Sequence, residues 1–250
     1  MQINQPRLSS FVLSLVVAAS CLLGGANRVS AQATYQECID QWRTTAQSCC
    51  GENDPGIREF CFLLAGDQLA ACLKDLDPNA PKPPDCLNYA LNLAKNNCGG
   101  IPQNCNSTDF KAACKTAARI LYRWCIGHDP LVSAIDATPI WLLYPTTVQL
   151  GNAYELVVRT DDAAVVQVRF FAIRMDAPAN AADPVFELGS AAAQPVAGNR
   201  VRWSLITDSG DWPLEQGEQH VVIVARSEAL TSPTATQILD ISELIEVVIE

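Results

Sequence analysis

The chain has 250 residues and a net charge of −10, from 17 basic and 27 acidic side chains. The imbalance sits in the second half: from Leu131 onward, 6 arginines face 16 acids, whereas the residues before it are balanced at 11 and 11. Nucleic acid and anionic lipid surfaces both need a positive field, so that half argues against either as a partner.

Arg7 precedes an apolar run from Leu8 to Gly25, and small residues follow, ending in Ala31-Gln32-Ala33. A basic start, an apolar middle and an Ala-x-Ala end are the marks of a secretory signal peptide. Cleavage is expected after Ala33, with Ala31 the second choice. Ala18-Ala19-Ser20-Cys21 is a weaker alternative, a loose lipoprotein box in which Cys21 would be acylated. No later stretch reaches the ~20 apolar residues of a membrane span. Removing residues 1–33 takes Cys21 away and turns eleven cysteines into ten. An even number suits full pairing in an oxidising compartment, so a secreted or periplasmic location is expected.

Residues 34–130 read as a cysteine-rich helical domain. Four helices are predicted, about Tyr35–Cys50, Ile57–Leu76, Asp85–Cys98 and Thr108–Ile126. Breakers at residues 51–56, 78–84 and 99–102 separate them, and Gly127 suits the position just past the last helix. Four cysteine gaps are eleven residues: Cys38 to Cys49, Cys50 to Cys61, Cys61 to Cys72 and Cys114 to Cys125. Eleven residues make about three turns plus ~20°, so both thiols return to one face roughly 16 Å apart. That spacing suits two antiparallel hairpins, each riveted at both ends. In the first, Cys38 would join Cys72, and one of Cys49 and Cys50 would join Cys61. In the second, Cys86 would join Cys125 and Cys98 would join Cys114. The remaining vicinal cysteine and Cys105 would then link the hairpins. Bridges compensate for the little apolar surface that short helices bury alone.

No Cys-x-x-Cys occurs, so the usual redox and zinc-ribbon spacings are absent. A strained, reducible bond between Cys49 and Cys50 is the alternative reading, and would make the protein a thiol-redox or metal carrier. A small apolar-ligand cavity among the helices is a further minor alternative.

From residue 137 to 250 the texture changes. Cysteine and lysine vanish, and short apolar–polar alternations are separated by turns. Strands are predicted at Pro139–Tyr144, Ala153–Thr160, Ala164–Arg174, Val185–Leu188, Arg200–Thr207, Gln219–Ser227 and Gln237–Glu250, the last interrupted. Period two over seven runs argues an antiparallel β-sandwich. The expected fold is therefore two-domain: a disulfide-stapled all-α domain followed by an all-β domain.

Several motifs carry a resemblance. They are Pro145-x-x-Val148-x-Leu150-Gly151, Val166-x-Val168-x-Phe170-Phe171-Ala172, Val201-x-Trp203-Ser204 and Gly217-Glu218-Gln219-His220-x-Val222-x-Val224. With them the segment resembles the bacterial Ig-like and fibronectin-like domains of exported proteins, although the disulfide of antibody domains is missing. The resemblance implies an extracellular spacer, adhesion or binding module and no catalytic residues.

Chemistry-bearing residues are few. His128 and His220 are the two histidines, and no Gly-x-Ser-x-Gly elbow accompanies them, so a hydrolase with an atypical site is a distant third reading. Asp161-Asp162 with Asp208 and Asp211 would gather a calcium ion only if their loops shared one end of the sandwich. Arg159, Arg169, Arg200, Arg202 and Arg226 are expected to pair across strands with Glu155, Glu187 and Glu228. Trp212, in a Gly-Asp-Trp-Pro turn, is the expected exposed aromatic contact. Together these features predict an exported, non-enzymatic binding protein of the cell envelope. Its partner would be a protein or glycan, without cofactor, metal or nucleic acid.

Overall fold

The first helix begins at Thr34 because a capping box closes it. The Glu37 amide donates to the Thr34 hydroxyl at 3.3 Å, and the Thr34 amide donates to the Glu37 carboxylate at 2.7 Å. The computed structural model describes residues 34–98, 105, 107–131, 135–175, 185–196, 198, 200–214, 219–232 and 235–250. The expected leader and Cys21 lie outside these, as does the side chain of Cys98.

Helices α1 (Tyr35–Cys49), α2 (Pro55–Lys74), α3 (Cys86–Cys98) and α4 (Ser107–Cys125) follow the predicted order. Helix α2 starts two residues earlier than expected. Asp54 accepts from the amides of Gly56 and Ile57, and Pro55, read from sequence as a breaker, sits in the first turn, where its missing N–H costs nothing. Helix α4 ends as predicted. Gly127 has φ +88°, its amide donates to the Trp124 carbonyl, and the His128 amide donates to the Arg123 carbonyl.

Bridges join Cys38 to Cys72, Cys49 to Cys61, Cys86 to Cys125 and Cys50 to Cys105. Start-to-end pairing makes α1–α2 and α3–α4 antiparallel hairpins, and Cys50–Cys105 links one hairpin to the other. Cys114 is buried. Bridges of this kind form and persist in an oxidising, extracytoplasmic environment. No helix among the described residues is long and apolar enough to cross a membrane.

Among the described residues ten strands follow: β1 (Ile140–Leu143), β2 (Thr147–Val148), β3 (Ala153–Thr160), β4 (Gln167–Arg174), β5 (Phe186–Ser190), β6 (Ala192–Pro195), β7 (Val201–Asp208), β8 (Gln219–Ser232), β9 (Ala235–Ile241) and β10 (Ile245–Ile249). One sheet has the order β1-β3-β7-β6; the other runs β2-β10-β8-β4-β5, with β9 also paired to β8. All pairs are antiparallel except β2 with β10. The facing residues, among them Leu156, Val158, Phe170, Trp203, Ile223 and Val247, form one apolar cluster between the sheets.

The sequence puts a domain boundary between residues 130 and 137, yet packing crosses it, and Thr34–Glu250 forms one unit. The outer face of the second sheet offers Phe171, Ile173, Val222, Val224 and Ile241 to the helices, where they join the same cluster as Leu69, Phe110 and Leu121. Helices, sheet and sheet thus make three layers. The reason lies in β8, where Val221 to Ala225 are all fully buried. A strand that is apolar on both faces must be covered on both.

Candidate binding clefts along helix α4

Helix α3 packs on β4, and helix α4 carries the charged contacts between the helical layer and the second sheet. Phe110, Ala113, Ala117, Ala118 and Leu121 face the helical core. Beside that stripe, Lys111, Lys115, Arg119 and Arg123 recur every four residues. Four residues advance about 400°, so the row drifts ~40° per step and spirals inward. Side-chain exposure follows the drift: 31% and 20% for the two lysines, 21% for Arg119 and 3% for Arg123.

The second sheet supplies the counter-charges. Lys111 donates to Glu246 at 2.8 Å, Lys115 lies 3.6 Å from the same carboxylate, and the His220 ring nitrogen Nδ1 lies 3.0 Å from it. Burial pushes the Glu246 carboxyl up, but the hydrogen bonds from Lys111 and His220 and the lysine charges outweigh it, so its pKa falls. Deeper in, Asp240 is fully buried, 3.7 Å from Arg119 Nη2 and 3.6 Å from Arg123 Nη1, and it accepts a short hydrogen bond from the Thr138 hydroxyl. One carboxylate therefore serves two guanidinium groups, and neither reaches hydrogen-bond distance. Nε and Nη2 of Arg119, Nε and Nη1 of Arg123, Asp240 Oδ1 and the Tyr122 hydroxyl find no hydrogen-bond partner among the described residues. Burial draws the Arg119 pKa below its ordinary value, against the pull of Asp240.

His128 closes this cluster at the end of α4. Burial lowers its pKa and the Arg123 charge adds to that, while Asp240 opposes both. The unfolded chain then binds a proton more readily than the folded one, so stability present at neutral pH is lost as pH falls below the ordinary histidine value. Urea unfolding should show a larger drop between pH 7.5 and 5.5 for the natural chain than for His128→Gln. Equal drops would contradict this placement of the ring.

Two hollows flank α4. A cleft of about 710 Å³ lies toward β1 and β10, lined by Lys111, Lys115 and Arg119 together with Trp141, Tyr144, Glu243 and Glu246. Tyr144 is exposed, and its ring meets Trp141 edge-on at 5.6 Å. On the α2 side lies a groove of about 420 Å³ with mostly apolar walls. Arg119 lines both hollows. Sequence reading missed the basic row, although its signal was there: four cations at a strict four-residue spacing on one predicted helix.

The residues singled out from sequence fare differently. Cys49 and Cys50 send their bridges to different partners, Cys61 and Cys105, so they form no vicinal bond. Trp212 is not the exposed contact expected of it. Asp208 caps the short 3₁₀ turn Ser209–Asp211, which folds the indole inward against Tyr154 and Phe186; its N–H donates to Thr207, and only 7% of the residue is exposed. The two acidic loops cannot share an ion. Asp208 pairs beside Ala153 at the start of β3, whereas Asp161 follows its end, roughly 23 Å away along the strand. Among the described residues no group of three or more histidine, cysteine or acidic side chains could hold a metal. Two of the five arginines pair across strands as expected: Arg169 reaches Glu228 at 2.6 Å and Glu187 at 3.4 Å, and Arg202 reaches Glu155 at 3.6 Å; Arg226 instead meets Glu228 on its own strand, and Arg159 and Arg200 turn to Asp161.

No known protein family matches the chain, and no curated protein matches it. Among solved structures it is similar to the Pseudomonas fluorescens alkylpurine DNA glycosylase AlkC bound to DNA containing an abasic site analog. Identity is 13%, over 88% of this chain and 54% of that chain, with a TM-score of 0.28. The match spans about half of that protein's length, and a likeness this slight carries no argument about function.

Proposed function

We propose that the chain is an exported, non-enzymatic binding protein of the cell envelope, its β region kin to the Ig-like domains of exported proteins. Its ligand is an acidic glycan, held in the cleft between α4 and strands β1 and β10. The observation that carries this reading is the make-up of that cleft: Lys111, Lys115 and Arg119 meet Trp141 and Tyr144 there, in a chain whose net charge is −10. Aromatic faces suit the apolar faces of sugar rings, and ammonium and guanidinium groups suit carboxylate or phosphate substituents. The four disulfides among the described residues support export by fitting an oxidising compartment.

The test is a titration of the bridged protein with acidic envelope polysaccharides, their neutral counterparts and duplex DNA. Binding is expected for the acidic glycans alone, weakening with salt. Lys111→Ala combined with Lys115→Ala should lower affinity about tenfold, which corresponds to about 1.4 kcal/mol. Equal binding to neutral glycans, preference for DNA, or an unaffected double variant would reject the reading.

A further inference from the structure

The groove on the α2 side of α4 has a different chemistry from the cleft. Phe62, Leu63, Gly66, Ala70, Ile120 and Leu131 give it apolar walls, and Arg119 and Arg123 also line it. Its volume of about 420 Å³ falls within the roughly 300–1,000 Å³ usual for small-molecule sites.

Arg123 is only 2% exposed, and two of its guanidinium nitrogens find no hydrogen-bond partner among the described residues. The same is true of two nitrogens of Arg119. Their shared carboxylate, Asp240, supplies one negative charge to two positive ones and is already engaged by Thr138. A buried cation left short of counter-charge and of acceptors is costly, and an anionic group entering from the groove would supply both. The planar fork of each guanidinium suits a carboxylate.

The walls and rim narrow the choice. Apolar walls favour a hydrocarbon body over a sugar or nucleotide. At the mouth, Glu59 and Asp67 are exposed acids that disfavour a ligand of high negative charge, while Asp109 is paired with Arg58 at 2.9 Å. Gly66 has no side chain to fill the groove, and Ile57, Phe60, Leu63 and Leu64 leave an apolar strip exposed along α2.

We propose that this groove binds a single-chain aliphatic monocarboxylate, with its head at Arg119 and Arg123 and its chain between α2 and α4. The site shares Arg119 with the glycan cleft but neither of its lysines, so Lys111→Ala with Lys115→Ala should leave it intact. The test uses the full bridged chain and displacement of a fluorescent anionic probe, 1-anilinonaphthalene-8-sulfonate, by tetradecanoate or by methyl tetradecanoate. The acid should displace the probe saturably, at one site per chain, and at least tenfold more tightly than its uncharged ester. Gly66→Leu fills the groove and should weaken the acid at least tenfold. Thr116→Phe, at an exposed position on the groove wall, should do the same without touching the core, and covers the case in which Gly66→Leu fails to fold. Equal affinity for acid and ester, no displacement by the acid, or natural affinity in a folded Thr116→Phe protein would overturn the proposal.

Discussion

Asp240→Ala should destabilise the folded chain by about 3–5 kcal/mol, because it leaves Arg123 inside the protein without the carboxylate it pairs with. The geometry makes this site unusually sensitive. Asp240 has no exposed surface, Arg123 has almost none, and the pair lies where α4 meets β9. Among the described residues no second carboxylate lies within ion-pair distance of Arg123, and Glu228 is already shared by Arg169 and Arg226. Removing both charges should hurt far less. Asp240→Leu with Arg123→Met should unfold at a urea concentration closer to the natural chain than Asp240→Ala does, giving a favourable coupling in a double-mutant cycle. A single-variant loss below about 1 kcal/mol would mean that water reaches the cluster and that this pair adds little to the joining of the layers.

Cys50→Ala with Cys105→Ala should destabilise by about 4 kcal/mol, the chain-entropy value for a loop of this length. This bridge spans 55 residues, more than Cys38–Cys72 at 34, Cys86–Cys125 at 39 or Cys49–Cys61 at 12. It is also the one among these that ties the first hairpin to the second. Its loss should therefore lower the urea midpoint more than loss of Cys49–Cys61, which closes the shortest loop. The reverse order would show that strain or residual structure in the unfolded chain, rather than loop length, governs these bridges.

Much of the fold was legible because its signals are local. Eleven-residue cysteine spacing, capping residues and Gly127 placed four helices to within about two residues and anticipated the four bridges described above. Alternation placed β3 and most of the longer strands. Two strands escaped. Thr147–Val148 is too short to show a period, and Ala192-Ala193-Gln194-Pro195 has no β-branched residue and a proline at its end. The joining of the layers was also missed, although Val221-Val222-Ile223-Val224-Ala225 announces a strand buried on both faces. Period-two alternation marks a strand covered on one face, whereas a run that is apolar at every position marks one covered on both.

The site was harder to read, because its residues come from far-separated positions. Lys111 meets Glu246 and Arg123 meets Asp240 only after α4 lies across the second sheet. The four-residue spacing of cations could have marked the row, but nothing local revealed that Arg119 and Arg123 share one buried acid. Trp212 misled for the opposite reason. A Gly-Asp-Trp-Pro turn looks exposed, and only the packing of Tyr154 and Phe186 shows where the indole goes.

An envelope role stands or falls on export and full bridging, so the most direct test is the intact mass of the protein recovered from an export-competent host, before and after reduction and alkylation. The account predicts a chain starting at Thr34, no thiol alkylated before reduction and ten alkylated after it. A chain that keeps its leader, or two thiols that react without reductant, would contradict it.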